Sequence, residues 1–163
     1  MLSDVAELLD GVAMTPSADR RLTRRFVDLW ARAARGRYPS WEALQEMELG
    51  EDLDWMFVVD YERSIGFPFY IHLGQRLAKF SDVFLCGTSD FGLSLLNKAT
   101  DDIFSAVAEQ GPHFRDETQI LCDGRQVHLR AVTAPLADDG ENITHVVGAV
   151  NGRFAASTQL HAV

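Results

Sequence analysis

Two alternating segments near the C-terminus constrain this chain more than anything else in it. Residues 125 to 137 (RQVHLRAVTAPLA) alternate, run into Asp138-Asp139-Gly140, and resume as residues 143 to 150 (ITHVVGAV). Asp-Gly between alternating runs is a hairpin signal, because glycine takes the positive φ that a tight turn requires. Pro135 falls close to the turn, where a missing N–H costs least. A hairpin of this length must lay an apolar face on something, and the earlier chain supplies it: helices first, then two short strands, then helices again.

At 163 residues the chain is long enough for one domain with a real core plus a helical extension. Its longest apolar runs, such as Trp55-Met56-Phe57-Val58-Val59, are too short to span a bilayer. The acidic start MLSDVAELLDGV lacks the basic region of a signal peptide, so a cytoplasmic protein is expected. Cys86 and Cys122 lack CxxC spacing and read as free, partly buried thiols. Charge is unevenly placed. Seven arginines and one acid, Asp28, fall between residues 20 and 37, so that window carries +6 within a net of −9. The acidic remainder argues against nucleic acid as a partner. The basic window is expected to dock on an acidic protein surface or on the chain's own acidic stretch, Glu42 to Asp54.

Residues 1 to 15 read as a short amphipathic start. Pro16, Ser17 and Asp19 then open a helix predicted to run to about Arg35, with Gly36 as its stop. Leu22, Phe26, Leu29, Trp30 and Ala33 recur at helical spacing and form one apolar stripe opposite the arginines. Ser40 caps a second short helix. Strands are predicted at Leu53 to Tyr61 and Phe67 to Leu73, a helix from about Leu93 to Gln110, and strands at 113–122, 125–137 and 143–153. The division expected is a helical extension over 1–40, a main domain over 41–155 and a tail over 156–163.

The order strand, strand, helices, strand, strand, strand resembles that of PAS domains. The likeness is carried by Trp30 with Gly36-Arg37-Tyr38-Pro39-Ser40, by DWMFVVDYE at 54–62 and by FYIHLGQRL at 69–77. It continues through Gly87, Gly111-Pro112, and APLADDG with VVGAV at 134–150, so it covers about residues 20 to 153. Within that family the chain is similar to the short stand-alone bacterial PAS proteins. The resemblance implies a cup formed by a curved sheet and the helices across it, which binds a small molecule or stays as packed core. It also implies a homodimer through the N-terminal helix, and a histidine kinase or cyclic-dinucleotide enzyme as signalling partner. Light-sensing flavin domains of this superfamily carry Asn-Cys-Arg-Phe-Leu-Gln, which Phe84-Leu85-Cys86-Gly87-Thr88 does not match. A flavin photosensor is therefore disfavoured and the cofactor is left open, with haem requiring His72 or His113 as its ligand.

His72, His113, His128, His145 and His161 show no metal-ligand spacing, and His128 and His145 are expected to face each other across the hairpin. Asp101-Asp102 and Asp138-Asp139 read as solvated surface, the first pair within a helix, where neighbours point about 100° apart. No serine has a nucleophile-elbow context and no Gly-rich phosphate cradle is present. Arg20 to Arg25 holds two RxxxR spacings without the accompanying segment that cyclic-di-GMP receptors need, and reads as an exposed helix face or a partner surface.

The expected fold is therefore α+β: a PAS-like five-stranded antiparallel sheet with helices across one face, preceded by an amphipathic helix. The cup is expected to be lined by Phe57, Val59, Phe69, Ile71, Phe80, Phe84, Leu95, Phe104, Leu129 and Val147. The dimer is expected to use Leu22, Phe26, Leu29, Trp30 and Ala33. No catalytic or metal-ligating residue is expected. The function read from these features is that of a non-catalytic bacterial signalling module, without nucleic-acid binding or membrane insertion. The competing reading is a small cone-shaped α+β cavity enzyme that moves a proton with a buried Asp60, Tyr61 or Tyr70.

Overall fold

A computed structural model describes residues 17–85 and 93–155, with the backbone alone over 17–21. The expected amphipathic start, Cys86, the glycines at 87 and 92, the side chains of Arg20 and Arg21 and the tail over 156–163 lie outside the described residues.

Helix α1, Ser17–Ala34, ends where Arg35 and Gly36 take left-handed backbone angles. Helix α2, Trp41–Gln45, starts at Ser40, whose hydroxyl accepts from the Ala43 amide as expected of a capping serine. A 3-10 turn over Gly50–Trp55 then leads into β1, Met56–Asp60. The strand predicted from Leu53 is therefore shorter at its start, because three of its residues are spent in that turn. β2 is Tyr70–Leu73, also shorter than expected, followed by α3, Gln75–Ala78.

The single helix predicted from Leu93 to Gln110 is two helices, α4 at Leu95–Ala99 and α5 at Ile103–Glu109. Ser94 and Asn97 form a reciprocal cap at the start of α4, and the Thr100 hydroxyl donates back to the Leu96 carbonyl at its end. A side chain that competes for a helix carbonyl favours a break. β3, His113–Ile120, β4, Gln126–Leu136, and β5, His145–Phe154, complete the sheet. The β4–β5 connection spans residues 137–144, longer than the two-residue turn that Asp-Gly suggests.

The five strands lie in the order β2-β1-β5-β4-β3, and all neighbours are antiparallel. The PAS-like fold expected from the sequence is thus present. Side chains alternate across strands, and here the alternation feeds two cores. On one face Phe57, Val59, Leu129, Ala131, Val146 and Val150 pack against α3, α4 and α5. On the other, Met56, Val58, Val132, Ala134, Val147 and Ala149 pack beneath α1.

Leu22, Phe26 and Leu29 of α1 are buried in this second core, with Trp30 and Ala33 at its margin. The stripe assigned to a dimer is therefore spent on the chain's own sheet. Each of these large side chains contributes about 1.5–3 kcal/mol when withdrawn from water, and the nearest apolar surface is the convex face of β4 and β5. Polar contacts among the described residues also hold the helix. The Trp30 indole donates to the Pro135 carbonyl at 2.9 Å, and Arg25 grips Asp52 with two bonds of 2.7 Å. The second contact is the docking of basic helix on acidic stretch that the charge pattern suggested.

Among the described residues, no helix is long and apolar enough to cross a membrane.

Candidate functional site

The concave side of the sheet is the candidate site. β1 supplies Phe57 and Val59, both fully buried, and α3, its following turn and α4 bring Leu77, Phe80 and Leu95 over them. β4 supplies Val127, Leu129 and Ala131. β5 contributes Val146 and Val150, and between and beyond them Gly148 and Gly152. These glycines make room for rings. A Cβ at 148 would lie 2.3 Å from the Phe57 ring, and one at 152 would lie 2.5 Å from the Phe80 ring. Phe57 also meets Tyr70 edge-on at 6.2 Å, and Phe80 meets Trp55 at 6.0 Å. Where residues are described, the cup is occupied by its own side chains.

Five of the ten expected lining residues are brought together: Phe57, Val59, Phe80, Leu95 and Leu129. Val147 is not among them. Pairing Phe57 with Gly148 and Val58 with Val147 turns Val147 towards α1. Phe69 and Ile71 also miss the cup, because a bulge between Val58 and Val59 skips Ile71 and presents Tyr70 and Leu73 instead. Phe69 is exposed, with Arg63 over its ring at 5.1 Å, and Ile71 is 46 % exposed. Phe84 and Phe104 are half-exposed; Phe104 packs edge-on against Tyr61 at 5.6 Å. Sequence reading missed Leu77, Leu121, Val146 and Val150. The signal for Val146 and Val150 was their two-residue spacing with Gly148 and Gly152, the small residues opposite large rings.

Polar groups on this side are few. The Tyr70 hydroxyl lies 3.2 Å from Thr100 Oγ1. Burial pushes the Tyr70 pKa up, opposed by that bond. The Thr133 hydroxyl, beside Gly148 on the cup face, is buried and finds no partner among the described residues. Asp60 lies at the far end of β1, where its carboxylate accepts from the Arg63 amide at 3.1 Å and faces the Arg63 guanidinium at 3.6 Å.

At the rim, β3 closes the cup with an ion-pair cluster. Arg115 reaches Asp102 at 2.6 Å, Asp101 at 3.5 Å and the Lys98 carbonyl at 2.5 Å, and also pairs with Glu117. Asp101 and Asp102 thus lie between two helices rather than within one; Asp101 is exposed, as expected, while Asp102 is partly buried against Arg115. Desolvation raises the Asp101 pKa, opposed chiefly by Arg115.

His113 sits beside this cluster, 2.7 Å from Glu109. His72 contacts the Leu53 carbonyl at 3.1 Å and packs by Trp41. His128 and His145 do not face each other: the register sets His128 opposite Arg153 and His145 opposite Leu136. Among the described residues no cluster of histidine, cysteine and carboxylate side chains forms a metal site. Cys122 is exposed rather than partly buried, its thiol donating to the Leu85 carbonyl at 2.9 Å.

With this geometry in view, the strand order and the helices packed across one face of the sheet decide the architecture. The fold is that of a PAS domain. No family model matches the sequence, and no curated protein does. Among solved structures the chain is similar to the dark-state light-oxygen-voltage domain of the blue-light photoreceptor Aureochrome1. They share 16 % identity at a TM-score of 0.44, over 75 % of this chain and 90 % of that one. It is also similar to the PAS domain of Bordetella pertussis BvgS, at 18 % identity and a TM-score of 0.39, over 66 % of this chain and 80 % of that one.

Proposed function

We propose that this protein is a non-catalytic PAS-type sensory module in which a change in the cup is passed through the sheet to α1. The observation that supports this reading is that β1, β4 and β5 serve both cores at once. Phe57 and Val59 face the cup while Met56 and Val58, one residue away, lie under α1. Interiors are close-packed and move between discrete arrangements, so repacking of a cup residue displaces the neighbours it shares a strand with. The ligand that suits this cup is small and apolar or aromatic. It takes the place of the Phe80 ring over Gly152. Output leaves through α1, which carries the exposed Arg24 and Arg32 with Arg35 just beyond its end, and reaches an acidic surface of a signalling protein.

The test replaces the ring with a hole. Phe80→Ala opens space that indole, a compact aromatic, fills. Hydrogen exchange is then followed in peptides from α1 and β3, with and without indole. Sensory coupling requires exchange in α1 to change on indole binding by more than exchange in β3 changes. Binding that leaves α1 untouched relative to β3 overturns the proposal.

A further inference from the structure

The sheet has two outer strands, and the chain treats their edges differently. Proteins blunt exposed strand edges with charge, because unpaired backbone groups invite another strand. β3 follows this rule with Arg115, Asp116 and Glu117 in mid-strand. β2 does not: from Ser64 to Leu73 there is no Asp, Glu, Lys or Arg. That stretch presents Ile65 at 81 %, Phe67 at 74 %, Ile71 at 46 % and Phe69 at 41 % exposure. Four large apolar side chains exposed within one ten-residue stretch at a sheet edge are a feature of the kind that marks an interaction surface.

We propose that the β2 edge and the hairpin tip before it are the docking surface for a second copy of this chain, related by a two-fold axis. Charge selects this occupant. Two copies each carrying −9 repel over most of their surface, and this stretch is one of the places where they meet without like charges opposed. Its flanks are of opposite sign. On one side Asp60, Glu62 and Arg63 sum to −1, and on the other the exposed Arg76 and Lys79 sum to +2. A two-fold contact runs the second β2 antiparallel to the first, so each flank meets its opposite. The short ladder formed across Tyr70–Leu73 pairs the outward backbone groups of that edge. Pro68 and the bulge at Ile71 keep this ladder short, which suits a dimer whose adhesion comes from side chains.

Sedimentation of the full chain over a concentration series tests this. The wild-type protein is expected to sediment as a dimer. Phe67→Glu and Ile71→Lys, each at an exposed position, are expected to weaken association at least about tenfold while circular dichroism is unchanged. Arg76→Glu is expected to weaken it and Glu62→Lys, added to Arg76→Glu, to restore it. A wild-type protein that stays monomeric overturns the proposal. So does a dimer whose mass is indifferent to both Phe67→Glu and Ile71→Lys.

Discussion

The Phe57 ring on β1 lies across the backbone of Gly148 on β5, so close that a Cβ at position 148 would fall 2.3 Å from it. A strand glycine ordinarily weakens a sheet. Here its missing side chain is the space into which the largest fully buried residue of the cup packs.

Gly148→Ala should therefore act as overpacking and destabilise the protein by about 1–3 kcal/mol. Adding Phe57→Leu, which withdraws the ring, should recover part of that loss. Urea denaturation of the two single variants and the double variant measures it. Strictly additive losses would show that the ring does not depend on the glycine.

The stripe on α1 makes a second prediction. Phe26 is 2 % exposed beneath the helix, so Phe26→Ala should cost about 3–5 kcal/mol of folding stability. Leu29→Glu should unfold the helix from the sheet rather than turn a folded dimer into a folded monomer. A stable, well-folded Leu29→Glu protein would contradict the packing of α1 described above.

The β4–β5 connection predicts a pH dependence. The Asp139 carboxylate accepts from the Asn142 and Glu141 amides and from the Asn142 side chain, which together hold its pKa at about 2 against an ordinary 3.8. A carboxylate whose pKa is lowered by folding stabilises the folded state above its unfolded value, and that stabilisation is lost as pH falls through the folded one. The stability difference between wild type and Asp139→Ala should be full at pH 5 and shrink as pH drops through about 4 towards 2. Thermal melts across that range check it; a difference that does not vary with pH would show that the loop bonds form without the charge.

The succession of strands and helices along the chain and the cap at Ser40 were legible in the sequence because they rest on local patterning and local chemistry. Ser40 and the stripe from Leu22 to Ala33 form the elements they suggested. What a stripe packs against is decided by distant chain, so Leu22, Phe26 and Leu29 went to the sheet instead of a second copy. Facing was harder still. β5 is apolar on both faces, Val147 and Ala149 on one and Val146 and Val150 on the other, so periodicity has nothing to separate. On β2 a single bulged residue, Ile71, exchanged the faces expected of Phe69 and Tyr70. The Arg115 cluster was hidden because its members are ordinary surface charges until the helices between β2 and β3 fold back on the sheet.

Coupling of the cup to α1 through the strands they share is measured by a double-mutant cycle between Phe57→Leu and Phe26→Leu. These side chains lie in different cores, on opposite faces of the sheet. Independent sites add within about 0.3–0.5 kcal/mol. Coupled cores should show a coupling energy of about 0.5 kcal/mol or more, of the size seen for sites linked by a shared backbone shift. Additive losses would contradict it, leaving a sheet with two separate cores and no route from one to the other.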